Sequence, residues 1–162
     1  MTFGLALIDV DHFKHINDRY GHLVGDRGLR KVAEIVASNL FSYDVLCRYG
    51  GDEFALLLTK NSSDGILQLM EKIRQEVAEQ AFGDEFNLKS PQITISVGLV
   101  NLGEVLDQGV EAILRVADDR LLKAKSLGRN RVVYRDEGVG DVVMAGGILQ
   151  RMQETADGSR RG

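Results

Sequence analysis

Phe3-Gly4-Leu5-Ala6-Leu7-Ile8 is apolar at every position, and the run stops at Asp9. A short segment that is apolar at both parities has no polar side to offer water, so it reads as a central strand. The rest of the chain must then supply strands for both of its edges. Candidates follow in order. His12–Tyr20 reads as a short helix ending near Gly21, and a second helix follows Gly25. In that helix Leu29, Val32, Ala33, Val36 and Leu40 form an apolar stripe at helical spacing. Val45–Tyr49 and Phe54–Thr59 read as a hairpin turning at Gly50-Gly51. Ser62, Ser63 and Asp64 offer caps for a helix carrying Ile66, Leu69, Met70, Ile73 and Val77. Gln92–Val100 alternates as a strand, with Ile93, Ile95, Val97 and Leu99 on one face. A helix with Val110, Ile113, Leu114, Ala117 and Leu121 stops at Gly128, and Arg131–Arg135 reads as the last strand.

The order β-α-α-β-β-α-β-α-β contains the β-α-β-β-α-β kernel of a ferredoxin-like α+β fold, a two-layer arrangement of a mainly antiparallel sheet flanked by helices. In that topology the third strand lies between the first and second, antiparallel to both. The end of the first strand then lies beside the start of the third, which brings Asp9 near Asp52 and Glu53. Residues 1–136 are expected to form one domain. From Glu137 the glycines 138, 140, 146 and 147 interrupt weak apolar stretches, Ile148–Thr155 reads as a short helix, and Asp157–Gly162 reads as a disordered end.

Bulk properties narrow the partners. The chain has 162 residues and a formal net charge of -4. That balance disfavours DNA or RNA backbone as a partner, which rewards clustered Lys and Arg, but leaves room for a nucleotide pocket. The single cysteine, Cys47, excludes an intramolecular disulfide and a multi-cysteine zinc site, and it fits a reducing, cytoplasmic setting. No apolar run reaches the roughly 20 residues of a membrane span, and no signal peptide is visible. A strand that starts almost at the first residue points to a piece of a longer protein, which leaves a membrane tether elsewhere in the parent open.

Asp9 and Asp11 bracket Val10 where the apolar strand ends, and Asp52 and Glu53 sit on the neighbouring hairpin. Carboxylates converging at one edge repel unless neutralised. Mg²⁺ or Mn²⁺, hard cations that take oxygen ligands and retain phosphate and water, suits such a set. The competing account makes Asp9 and Asp11 caps of the helix starting near His12, and Asp52 and Glu53 an exposed turn. It explains Asp11 at least as well, but leaves a carboxylate at the end of an apolar strand without reason. Gly50 and Gly51 allow close approach of a ligand or merely make a turn. Phe13-Lys14 opens a helix whose free N–H groups, with Lys14, suit phosphate oxygens; the bland reading of Lys14 is a solvated lysine. Lys125 and Arg129 either reach a triphosphate or complement a helix C-terminus. Asn17 and Asp26 offer the donors and acceptors that read a guanine edge, or cap helices. His12, His15 and His22 do not space as a zinc set.

The sequence resembles the GGDEF domain family at four motifs in order. Arg48-Tyr49-Gly50-Gly51-Asp52-Glu53-Phe54 contains the signature. Asp9-Val10-Asp11-His12-Phe13-Lys14-His15-Ile16-Asn17-Asp18 is similar to the DxDxFKxxND segment. Gly21-His22-Leu23-Val24-Gly25-Asp26 is similar to GHxxGD, and Ala124-Lys125-Ser126-Leu127-Gly128-Arg129-Asn130-Arg131 to AKxxGRNR. The resemblance runs from about Phe3 to Tyr134. It implies a polymerase-palm-like fold and a diguanylate cyclase, which joins two GTP into cyclic di-GMP across a homodimer. Asp9, the Val10 carbonyl and Asp52 would hold metal, with Glu53 as a further ligand or as the group easing deprotonation of the ribose 3′-hydroxyl. Asn17 and Asp26 would bind guanine with His22 lining the pocket, and Phe13, Lys14, Lys125 and Arg129 would face the phosphates. Product is expected to occupy the same pocket, since each half of it resembles GMP.

Three departures qualify the resemblance. The family's RxxD product-inhibition window is Phe41-Ser42-Tyr43-Asp44 here: Asp44 is retained, Phe41 replaces the arginine, and bidentate recognition is lost. The LTGLxNR-like segment that normally precedes the first strand is absent. Leu122 stands where tyrosine is common. The alternatives are a catalytically silent GTP- or cyclic di-GMP-binding module that regulates a partner, and a scaffold that only dimerises.

Overall fold

The computed structural model describes residues 1–82, 92–136, 140–145 and 148–151. The elements are β1 (Thr2–Val10), α1 (Phe13–Tyr20), α2 (His22–Ser38), β2 (Val45–Arg48), β3 (Glu53–Lys60), α3 (Ser63–Glu79), β4 (Ile95–Asn101), α4 (Val110–Ser126), β5 (Val132–Asp136), β6 (Gly140–Ala145) and β7 (Ile148–Arg151). Two short 3-10 turns, Leu102–Glu104 and Leu106–Gln108, join β4 to α4.

The strands form one sheet in the order β2-β3-β1-β4-β5-β6-β7. As expected, β3 lies between β1 and β2 and is antiparallel to both. The other edge of β1 pairs antiparallel with β4, and among the described strands only β4 and β5 run parallel. β1 is therefore hydrogen-bonded along both edges and buried from Ala6 onward. The register sets Asp9 opposite Glu53 on one side and Ser96 on the other.

Alternation sorts the sheet's side chains onto two faces. Ala6, Ile8 and Val10 share one core with Leu56, Leu58, Ile95 and Val97, beneath Ile16 of α1, Leu29, Val32 and Val36 of α2, and Ile66, Met70, Ile73 and Val77 of α3. Leu7, Ala55 and Val100 face the other way, against Ile113, Ala117 and Leu121 of α4. The α+β, ferredoxin-like frame stands. The helices divide over both faces, so the two-layer description gives way to three layers. Ser62 caps α3 by accepting from the Gly65 N–H at 3.1 Å.

Two sequence expectations are corrected. Ile148–Thr155 does not open as a helix: Ile148–Arg151 is strand β7, paired antiparallel with β6, and β5 is not the last strand. The remainder, 152–155, and the expected disordered end Asp157–Gly162 lie outside the described residues. α2 begins at His22, ahead of Gly25, so Asp26 lies inside the helix and does not cap it.

Gly98 fixes how closely α4 approaches the sheet. A Cβ there would stand 2.1 Å from the Ala117 carbonyl oxygen and 2.5 Å from the Leu121 nitrogen. Helix backbone lies directly on strand backbone, and neither can yield as a side chain would. Gly98→Ala is expected to lower unfolding stability by about 1–3 kcal/mol. Gly103→Ala, where the added carbon meets nothing within 4 Å, should stay within about 0.5 kcal/mol. Urea denaturation of the two variants checks the pair.

Candidate active site

The acidic end of β1 is built by three converging elements. β1 delivers Asp9, β3 and the turn before it deliver Asp52 and Glu53, and the end of α4 delivers Lys125. The turn is held from within. The Glu53 carbonyl accepts from the Tyr49 N–H at 2.8 Å and the Gly50 N–H at 3.2 Å. Arg48 donates to the carbonyls of Gly50, at 3.2 Å, and Gly51, at 2.5 Å. A Cβ at Gly50 would stand 2.7 Å from Glu53 Oε2, the mobile end of that side chain. The Asp52 carbonyl accepts from the Val10 N–H at 3.1 Å, which ties the turn to the end of β1.

Asp9 is buried, 7% exposed, and its Oδ2 forms an ion pair with Lys125 Nζ. Its Oδ1 is buried without a hydrogen-bond partner. Burial pushes the Asp9 carboxyl up to about 6; Lys125 opposes that rise and the nearby Asp52 adds to it. The charged form is therefore short of positive neighbours even with the lysine beside it. Among the described residues, no three His, Cys, Asp or Glu side chains are gathered into a ready-made metal cage.

Asp11 takes a different part from either alternative. It is buried, and its Oδ1 accepts from Ser96 Oγ at 2.6 Å. Its Oδ2 accepts from Thr94 Oγ1 at 2.7 Å and from the Asn130 N–H at 3.0 Å. The residue at the start of α1 is His12, in the left-handed region at φ 54° with no side-chain cap. Neither aspartate caps the helix.

α1 and α2 meet at Gly25. A Cβ there would fall 1.7 Å from Asn17 Oδ1 and 3.3 Å from Phe13 Cε2. Asn17 Oδ1 is buried without a partner. Phe13, Asn17 and Gly25 are thus brought together, with Asp26 next in sequence and His22 one turn before it on α2. Lys14, His22 and Asp26 are exposed, while Arg129 is half-exposed on the loop after α4. Leu122 is exposed on α4.

In the Phe41–Asp44 window, Phe41 stacks on Tyr43 with ring centroids 5.5 Å apart. Asp44 accepts from the Phe41 N–H and the Thr59 N–H, each at 2.9 Å, and from Lys60 Nζ at 2.8 Å. Burial alone would push its carboxyl up, but these donors together hold it below the usual carboxylate range. The retained aspartate is engaged by Phe41 of its own turn and by Thr59 and Lys60 of β3.

Sequence reasoning passed over Glu71, Arg74, Thr94, Ser96 and Gly98, and gave Asn130 no role of its own within the Ala124–Arg131 motif. A signal existed for two of them: Glu71 and Arg74 fall at helical spacing from Leu67 and Met70, on the buried side of α3. For Thr94 and Ser96 no sequence signal was present, because their partner Asp11 is remote in the chain.

The raised Asp9 carboxyl has a consequence for stability. The folded protein holds this proton at pH values where the unfolded chain, near 3.8, has lost it. Ionising Asp9 therefore lowers stability as pH rises from about 4 to about 6, and the loss persists above. Asp9→Asn is expected to melt higher than the parent at pH 7.5 without nucleotide, by on the order of 1 kcal/mol. The gap should close by pH 4, in thermal melts across that range. A gap independent of pH would contradict the assignment.

The sequence matches the family described as diguanylate cyclase, GGDEF domain, over residues 1–131. It is 42% identical over 135 residues to the probable diguanylate cyclase DgcT of Escherichia coli K12, covering 83% of this chain and 29% of that protein. It is 40% identical over 128 residues to the response regulator PleD of Caulobacter vibrioides, covering 78% of this chain and 28% of that protein. The chain spans about a third or less of the length of the curated relatives it matches. Among solved structures it is similar to the GGDEF domain of DgcB from Caulobacter crescentus in complex with c-di-GMP. That match has a TM-score of 0.74 and 33% identity, over 82% of this chain and 77% of that one. The active GGEEF domain of a diguanylate cyclase from Vibrio cholerae matches with a TM-score of 0.74 and 32% identity, over 85% of each chain. With its signature turn docked against the acidic end of β1, the chain belongs to the GGDEF domain family.

Proposed function

We propose that this domain is a diguanylate cyclase. Two GTP molecules are condensed to cyclic di-GMP with release of two pyrophosphates. The observation that carries the proposal is the buried, half-unpartnered Asp9 carboxylate beside Asp52 and Lys125, at the end of a strand that cannot move it away.

Asp9, Asp52 and the Val10 carbonyl are the residues that would hold Mg²⁺ or Mn²⁺. The orphaned Asp9 Oδ1 and an oxygen-only donor set suit such a hard cation. When bound, the metal supplies Lewis-acid polarisation of a phosphoryl oxygen and neutralises charge on the leaving pyrophosphate. Lys125 is paired with Asp9, so it is available to a phosphate once that carboxylate has another cation. Lys14, Arg129 and the first N–H groups of α1 complete a phosphate-facing rim. Phe13 supports it from α1. Asn17 and Asp26 read the guanine, with His22 beside them. A carboxylate at Asp26 accepts from the N1–H and 2-amino group that adenine lacks. Glu53 stands beside the metal ligands, as a further ligand or as the group easing loss of the 3′-hydroxyl proton.

One domain holds one GTP, so the reaction requires two copies facing each other about a two-fold axis. Each 3′-hydroxyl then attacks the α-phosphate held by the other copy, and pairing supplies the proximity. Among the described residues no helix is long and apolar enough to cross a membrane. We place the domain in the cytoplasm, where GTP is available.

Incubated at high concentration with GTP and Mg²⁺, the parent should yield cyclic di-GMP, resolved by chromatography, and Asp52→Asn should yield at most about a hundredth as much. GTP binding by the parent without product would move the assignment to a silent nucleotide-binding module. Asp44→Asn should lower the melting temperature but change cyclic di-GMP affinity by less than about twofold in calorimetric titration, because Phe41 replaces the arginine and Asp44 serves its own turn.

A further inference from the structure

The loop after α4 carries two consecutive non-glycine residues in the left-handed region, Arg129 at φ 63° and Asn130 at φ 47°. Left-handed backbone is unfavourable for a non-glycine residue unless its surroundings dictate the conformation. Here they do. The Asn130 N–H donates to Asp11 Oδ2 at 3.0 Å. Asn130 Oδ1 accepts from an Arg74 guanidinium nitrogen at 2.6 Å. Arg74 is held in turn by Glu71 through two bonds, at 2.9 and 2.6 Å. Asp11 is fixed from the other side by Thr94 and Ser96. The Arg129 N–H returns to the Ala124 carbonyl at 3.0 Å, and the Arg129 carbonyl accepts from Arg131 Nε at 2.9 Å. Glu71, Arg74, Asp11 and Ser96 are all 5% exposed or less.

This chain of contacts runs from Glu71 and Arg74 on α3 through Asn130 to Asp11, Thr94 and Ser96, and two of its members adjoin the candidate site. Asp11 is two residues from Asp9, and Asn130 follows Arg129. A charge pair buried inside a helix layer gains little net stability over apolar packing. A network that ends on a strained loop at a site has a better reason to be there. We propose that Glu71, Arg74, Asn130 and Asp11 form a positioning relay. It fixes the loop after α4 so that Arg129, and Lys125 on the last turn of α4, stand where a nucleoside triphosphate presents its phosphates. The inference rests on the phosphate-facing assignment of Lys125 and Arg129 made above. Asp11 and Asn130 touch no substrate; they act through the loop.

The test compares affinities for 3′-deoxy-GTP, which lacks the attacking hydroxyl, and for guanosine, which lacks the phosphates. Binding is followed by calorimetry and by NMR titration with Mg²⁺. Asn130→Ala removes the Arg74 contact and strains the backbone. Asn130→Gly removes the contact but accepts the left-handed conformation, so it remains measurable if the alanine variant does not fold. Both should weaken 3′-deoxy-GTP binding at least about tenfold and change guanosine affinity by less than about twofold. Asn130→Asp keeps both the conformation and an acceptor for Arg74, and should restore triphosphate affinity to within about threefold of the parent. Unchanged triphosphate affinity in both variants, equal losses for the two ligands, or failure of the aspartate to rescue would overturn the relay while leaving the nucleotide reading intact. A parent that binds neither ligand overturns the nucleotide reading, and the relay falls with it.

Discussion

Everything at the acidic end of this protein depends on β1 being held along both edges and buried on both faces. A strand paired with β3 and β4 at once cannot slip, because a one-residue shift would turn every apolar side chain to the wrong side. Asp9 is therefore placed by the core rather than by its own preference. The cost is visible in its chemistry. The carboxyl is pushed up to about 6 by burial, one of its oxygens is unpartnered, and Lys125 supplies only part of the positive charge that the ionised form needs. A buried carboxylate left short of compensation in this way marks a candidate functional site.

The same frame explains what could be read from the sequence. The apolar run into Asp9 gave β1, and the ferredoxin-like kernel gave β3 as its neighbour. That was enough to bring Asp9 and the Asp52-Glu53 pair together across more than forty positions of chain. Helical stripes at Leu29 and Ile66 were legible because period is a local property. Asp11 was not legible: its three donors come from Thr94, Ser96 and Asn130, and nothing near Asp11 in sequence announces them. Ile148–Arg151 misled for a related reason. A short, weakly apolar segment carries little period of its own, and pairing with β6 decided its conformation. Gly98 gave no warning either, since a glycine within a strand marks close approach only when the approaching partner is known.

Close packing also ties the two halves of the site together. The α4 backbone touches β4 at Gly98, which carries the end of that helix, and Lys125 with it, to the end of β1. On the opposite face of the sheet, α1 and α2 close on each other at Gly25, where the Asn17 amide fills the room a side chain would take. Lys125 and Asn17 are thus presented from opposite layers, and each depends on a glycine that lets one backbone come near its neighbour.

The Phe41–Asp44 window shows how one substitution changes what a retained residue does. A carboxylate has two oxygens, and here both are engaged: one by the Thr59 N–H, the other by the Phe41 N–H and Lys60. Lys60 also lies 4.8 Å from the centroid of the Phe41 ring. An arginine at position 41 would set a second cation against Lys60 and compete for Asp44. Phenylalanine instead accepts the lysine on its face, stacks on Tyr43 and leaves the aspartate to the turn. Both oxygens of Asp44 are thus committed to holding the Phe41 turn against β3.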